Sequence, residues 1–170
     1  MQPTKPYSIA IAGAALAAFL ALCPSDPRAQ EAGPFTVLTG SWTGNGTITM
    51  STGDRERIRC RVRYEVTQNG NYARQDLRCA SDSYKFEMVT EGEYRGGYLY
   101  GRWSELTRNV GGQMTGRVIG GLIDALAEGS GFNVTFTVNT RGDRQSVVIA
   151  SRAVVSDIRL VSISVHRVAR

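Results

Sequence analysis

The residues whose side chains could carry out a reaction or bind a metal are few in this sequence. His166 is the single histidine among 170 residues, and one imidazole without a free thiolate cannot complete a zinc site of the usual kind. The sequence contains no G-x-S-x-G segment, no plausible serine–histidine–aspartate order and no run of carboxylates spaced like a calcium loop. We therefore expect a protein without catalytic activity, bound metal or cofactor.

A group of apolar side chains with one acidic residue could instead form a binding site. Trp103 and Glu105 have the same parity in a predicted strand and therefore point to the same side. A carboxylate in that position either pairs with an arginine or anchors the polar group of a ligand. The predicted ligand-binding residues are Tyr64, Tyr84, Phe86, Met88, Trp103, Glu105, Phe132 and Phe136. The alternative is that these aromatic side chains simply fill the interior of the fold.

Alternation of apolar and polar residues along the chain predicts the elements that position these side chains. In Ile58–Val66 the apolar residues and Cys60 point one way, while three arginines and a glutamate point the other. Similar runs recur between glycine-containing turn segments, which indicates short antiparallel strands. We predict ten of them: Ser41–Met50, Glu56–Thr67, Tyr72–Ala80, Tyr84–Glu91, Tyr98–Leu106, Gln113–Ile119, Leu122–Glu128, Phe132–Asn139, Gln145–Arg152 and Asp157–Val168. Leu122–Glu128 also has helical spacing, so a short helix is the alternative there.

One hairpin can be checked by its numbering. If Asn69 and Gly70 form a type I′ turn, the numbers of cross-strand partners sum to 139, and Cys60 then lies opposite Cys79. Directly opposed cysteines are within disulfide reach, and we predict this bond. Consecutive strands joined by tight turns form a meander, which closes into a barrel to remove its edges. The expected fold is therefore an all-β, antiparallel up-and-down barrel of about eight to ten strands with one disulfide.

The first 29 residues have the order of a secretory signal peptide. Lys5 precedes an uncharged apolar run that ends at Cys23, and a polar segment follows. We expect cleavage after Ala29; a lipid anchor on Cys23 is the alternative. The predicted divisions are a signal peptide over 1–29, an N-terminal tail over 30–37 and a barrel domain over 38–170. The mature protein is expected in the periplasm or secreted.

Gly40-Ser41-Trp42 resembles the G-x-W signature of the calycin superfamily, which includes the lipocalins, the fatty-acid-binding proteins and the avidins. The resemblance implies that Trp42 plugs one end of a lipocalin-like barrel and that an arginine from the last strand, Arg167 here, lies across it. The chain is also similar to an uncharacterised family of small exported bacterial proteins. The shared segments stand at Gly40–Gly44, Arg59–Arg61, Leu77–Ser81 and Gly101–Glu105.

These observations favour an exported, non-catalytic barrel that binds a small hydrophobic or amphipathic ligand or supports the cell envelope. The alternative is a periplasmic protease inhibitor or another protein-interaction module, because some small inhibitors that resemble this chain use an N-terminal tail such as Glu31–Pro34. The formal net charge of +5 would suit an anionic partner, but a solvated arginine-rich surface explains it as well. We expect a monomer that neither binds nucleic acid nor spans a membrane.

Overall fold

The computed structural model of the chain describes residues 31–130, 132–151 and 157–169, and it describes the side chains of all of these except Phe132. The predicted signal peptide over 1–29, its cleavage site after Ala29 and the alternative anchor at Cys23 lie outside the described residues.

Ten β-strands follow one another along the described chain. They are β1 (Gly40–Met50), β2 (Arg55–Thr67), β3 (Tyr72–Ala80), β4 (Lys85–Arg95), β5 (Tyr98–Glu105), β6 (Val110–Ile119), β7 (Leu122–Gly129), β8 (Phe132–Arg141), β9 (Arg144–Ser151) and β10 (Ile158–Arg167). Each strand pairs antiparallel with the next, and β10 pairs with β1, so the sheet closes into a barrel. The predicted all-β meander barrel is confirmed. The segment that begins at Leu122 is a strand and not the alternative short helix.

The β2–β3 hairpin has the predicted register and turn. Cys60 lies opposite Cys79 with their Cα atoms 4.2 Å apart, and the two sulfur atoms form the predicted disulfide. Asn69 has φ 53° and ψ 34°, and Gly70 has φ 90°. These are the dihedral angles of a type I′ turn, which requires positive φ at both central residues.

The strand interiors contain glycines where neighbouring strands approach closely. A Cβ atom on Gly44 would overlap the backbone carbonyl of Ser164, and one on Gly101 would overlap that of Glu91. A side chain at either position would push two paired strands apart, so these glycines allow the local bending that barrel closure requires.

A short 3-10 helix, Pro34–Leu38, packs across one end of the barrel. Its Phe35 and Leu38 side chains are buried, and the Phe35 ring meets the edge of Tyr94 with 6.3 Å between ring centroids. The backbone N–H of Gly33 donates a hydrogen bond to the carbonyl of Asn69 at 2.7 Å. The segment from Gly33 onwards, which lies within the predicted N-terminal tail over 30–37, therefore packs against the barrel. The physical reason is the burial of two large apolar side chains, which stabilises by about 1.5–3 kcal/mol each.

No helix within the described residues is long and apolar enough to cross a membrane.

Candidate ligand-binding cavity

Trp42 closes the barrel at the end covered by the 3-10 helix, which we call the closed end. The Trp42 side chain is 1% exposed, and its Nε1 donates a hydrogen bond to the carbonyl of Leu38 at 2.8 Å. This bond satisfies the one polar atom of the indole, so the ring can be buried among apolar neighbours without an unpaired donor. The tryptophan and the helix together plug this end.

Arg167 contacts both Trp42 and the segment before β1 at the closed end, and we call these contacts the clamp. Its guanidinium carbon lies 4.2 Å from the centroid of the Trp42 ring, so the two residues that the resemblance pairs are in contact. The guanidinium also donates hydrogen bonds to the backbone carbonyls of Thr39 and, at 2.8 Å, Val37. Its Nε donates to Asp143 at 2.9 Å. Arg167 thus ties the last strand to the segment that precedes the first.

An interior cavity of about 450 Å³ opens at the opposite end of the barrel, the open end. This volume lies within the range of about 300–1,000 Å³ that ligand sites usually have. Its wall is mostly apolar and includes Leu77, Val138, Val147, Ile149 and Val161. As far as the described residues define it, this hollow apolar interior is suited to enclosing a small molecule.

A larger groove of about 1060 Å³ runs outside the barrel, along β1, β2 and β10. Its lining is mostly polar and includes Asn45, Thr47, Arg57 and Arg59. We favour the interior cavity as the candidate site, because binding sites for small molecules are concave and predominantly apolar.

The structure brings six of the eight predicted ligand-binding residues to the cavity. The six are Tyr84, Phe86, Met88, Trp103, Glu105 and Phe136. Tyr64 points into the barrel, as its parity predicts, but lies beneath the cavity towards the closed end. Phe132 is the first residue of β8, and its side chain is outside what the structure describes.

Glu105 lies at the open end with its side chain buried. Its Oε1 accepts hydrogen bonds from the backbone N–H groups of Glu87 at 3.0 Å and Thr107 at 3.1 Å, and from the Thr107 hydroxyl at 2.5 Å. Its Oε2 accepts from the backbone N–H of Arg108 at 2.8 Å and from the Arg108 guanidinium at 3.4 Å. These are the contacts of an arginine-paired carboxylate that fixes the turn after β5. The role of ligand anchor remains a prediction.

The same contacts determine the charge of Glu105. Burial raises the pKa of the carboxyl, but the hydrogen bonds from Thr107, Glu87 and Arg108 outweigh it, so the pKa lies below its ordinary value. Glu105 therefore places a fixed negative charge beside the positive charge of Arg108 at the open end.

The cavity lining also includes two neighbouring polar side chains, Gln75 on β3 and Thr90 on β4, and we call this polar part of the lining the floor. The Thr90 hydroxyl donates a hydrogen bond to Oε1 of Gln75 at 2.8 Å, and Nε2 of Gln75 donates to the Tyr64 hydroxyl at 3.3 Å. Neither floor residue was predicted. The available signal was their inward parity, since Gln75 alternates in phase with Leu77, and Thr90 does so with Met88.

The hydrogen bonds continue beneath the floor. The Tyr64 hydroxyl donates to Oε1 of Gln145 at 2.9 Å, and Nε2 of Gln145 donates to the Thr140 hydroxyl at 2.9 Å. Burial raises the pKa of Tyr64, against the opposite effect of its hydrogen bond with Gln145, so the phenol stays neutral. Hydrogen bonds thus connect five side chains in the order Thr90, Gln75, Tyr64, Gln145 and Thr140.

The structure offers no metal site within its described residues, where no three histidine, cysteine, aspartate or glutamate side chains cluster. His166 faces solvent on the outside of β10.

Fold and site together define a closed, ten-stranded antiparallel β-barrel with one plugged end and one interior cavity. The fold is similar to that of Rv2717c from M. tuberculosis, with a TM-score of 0.64 and 16% sequence identity over 79% of this chain and 94% of that chain. At this identity the similarity shows the fold alone. No protein-family model and no curated protein matches the sequence.

Proposed function

We propose that this protein is a non-catalytic, calycin-like carrier that encloses a small apolar or amphipathic molecule in its barrel. The observation that carries the proposal is the cavity of about 450 Å³, mostly apolar and open at one end. A molecule of this size has about 15 non-hydrogen atoms if each takes roughly the 30 Å³ of a liquid water. Burial of its apolar surface supplies the binding free energy.

The proposal includes export of the protein. The disulfide between Cys60 and Cys79 supports it, because such bonds persist in oxidising compartments outside the cytoplasm. The order of charged, apolar and polar segments in residues 1–29 supports it independently. A periplasmic or secreted barrel can take up a poorly soluble molecule and shield it from water.

Filling the cavity tests the proposal. Ile149 lines it, and Ile149→Trp places an indole in the space that the ligand would occupy. The neighbouring Val148 is 40% exposed on the outside, so Val148→Trp adds the same ring without touching the cavity. Binding is measured with the neutral fluorescent probe N-phenyl-1-naphthylamine.

We expect Ile149→Trp to weaken probe binding at least tenfold, while Val148→Trp binds like the wild type. Both variants should stay within about 1.5 kcal/mol of wild-type stability, because the added ring at position 149 occupies existing space. The proposal fails if the wild type does not bind the probe, or if the two variants bind it equally. If instead the variants behave as expected, native mass spectrometry of protein purified from its own host would identify the natural ligand.

A further inference from the structure

The floor of the cavity lies inside the barrel, about halfway along β4, because Thr90 is two residues beyond Met88, which pairs with Glu105 at the open end. Gln75 pairs with Thr90 on one side and with Tyr64 on the other, and Tyr64 in turn pairs with Gly40, two residues before Trp42. The polar atoms of the floor therefore face the inserted end of any molecule that enters from the open end.

The floor presents both a hydrogen-bond acceptor and a donor. The Thr90 hydroxyl uses its hydrogen on Gln75, which leaves its oxygen lone pairs as acceptors. The Gln75 amide uses one N–H on Tyr64 and has a second. Among the hydrogen bonds of the described residues, none engages these remaining groups. A purely apolar end pressed against the floor would remove them from water without replacing their hydrogen bonds.

The floor carries no formal charge. The charged residues that line the described part of the cavity are Glu105, Arg108 and Asp157, and all three lie at the open end. A carboxylate, phosphate or ammonium group pushed to the floor would be buried without a counter-ion, which is far more costly than burying a neutral polar group.

We propose that the ligand carries a neutral hydroxyl or amide group at its inserted end, which donates to Thr90 Oγ1 and accepts from Gln75 Nε2. This inference rests on the proposed carrier function and narrows it to long-chain alcohols, terminal amides and molecules with the same kind of end group. The apolar body of the ligand lies between Met88 and Phe136, and its other end faces the charged rim.

The test compares two isomers by isothermal titration calorimetry. 1-Decanol has a terminal hydroxyl, whereas 1-methoxynonane has the same atoms but no hydrogen to donate. We expect the wild type to bind the alcohol about tenfold more tightly, which corresponds to about 1.4 kcal/mol. Thr90→Val keeps the shape of the side chain and removes its oxygen, but it also frees Gln75 Oε1 as an acceptor. The double variant Thr90→Val with Gln75→Leu removes both acceptors, so its preference should fall below threefold. The single variant Thr90→Ser should keep the full preference.

Thr115→Val, the same substitution at an exposed position on β6, is the matched control and should keep the full preference. Binding of N-phenyl-1-naphthylamine shows that each variant has a folded cavity. Equal affinity of the wild type for the two isomers would overturn the inference, as would a preference that survives in the double variant. Either result, with the probe still bound, leaves the carrier function intact. If the wild type binds neither the two isomers nor the probe, the inference and the proposed carrier function are both refuted.

Discussion

The clamp formed by Arg167 allows a quantitative test of how the closed end is held. Arg167→Met keeps an unbranched stem over Trp42 but removes the charge and its hydrogen bonds. The lost cation–π contact contributes about 1–2 kcal/mol in a partly desolvated position. The two hydrogen bonds to the carbonyls of Val37 and Thr39 together add about 1.5 kcal/mol, since water replaces part of them. The ion pair with Asp143 adds little, because that side chain is 81% exposed.

We therefore expect Arg167→Met to destabilise the protein by about 3 kcal/mol and to lower its melting temperature by roughly 6–12 °C. Equilibrium unfolding in urea, followed by tryptophan fluorescence, measures the free energy. Asp143→Asn, which removes only the exposed ion pair, should remain within about 0.5 kcal/mol of the wild type. The reasoning is refuted if Arg167→Met is as stable as the wild type, or if Asp143→Asn is equally destabilising.

Two further predictions concern Glu105 and the disulfide. Glu105→Gln should destabilise by about 2 kcal/mol at neutral pH, because the new amide NH₂ faces donors that the carboxylate accepted from. Folding lowers the pKa of Glu105, so the carboxylate stabilises the folded protein. Its contribution to the free energy of unfolding is complete above the ordinary pKa of about 4.3 and is lost as the pH falls through the lower pKa of the folded state. Urea unfolding of the wild type and of Glu105→Gln from neutral to acidic pH measures this contribution. A difference in the free energy of unfolding that persists at pH 2 would contradict the prediction. Reduction of the Cys60–Cys79 bond should destabilise by about 3 kcal/mol, given the 19-residue separation, without unfolding the barrel. Unfolding with and without reductant measures the effect; an unchanged urea midpoint or loss of the β circular-dichroism signal would argue against it.

The barrel could be predicted from sequence because strand alternation is a local signal. The side that one residue faces determines the sides that its neighbours face, so the register of the hairpin around Asn69-Gly70 and the shared side of Trp103 and Glu105 follow directly. The turn chemistry and the cysteine numbering agreed with that alternation. Several local signals therefore pointed to the same register.

The depth of a side chain along the barrel axis could not be predicted in the same way. Alternation predicts which side of the sheet a residue faces but not its position along the barrel axis. It therefore predicts Tyr64 in the cavity wall, although Tyr64 lies beneath the floor. The 3-10 helix was missed because Phe35 and Leu38 form too short a pattern to show a period. The partners of Glu105 depend on the shape of a turn, which the sequence left open between an arginine and a ligand.

The clamp at Arg167 also brings together the segment before β1 and the residues after β10. The segment before Gly40 and the residues after β10 meet at the plugged rim, where the N–H of Val168 donates to the carbonyl of Ser41 at 2.8 Å. A fluorescent reporter or surface tether attached at Val168, which is 45% exposed on this rim, would thus lie on the side opposite the entrance. A barrel immobilised through this rim would present its entrance outwards, free to exchange cargo with the surrounding medium.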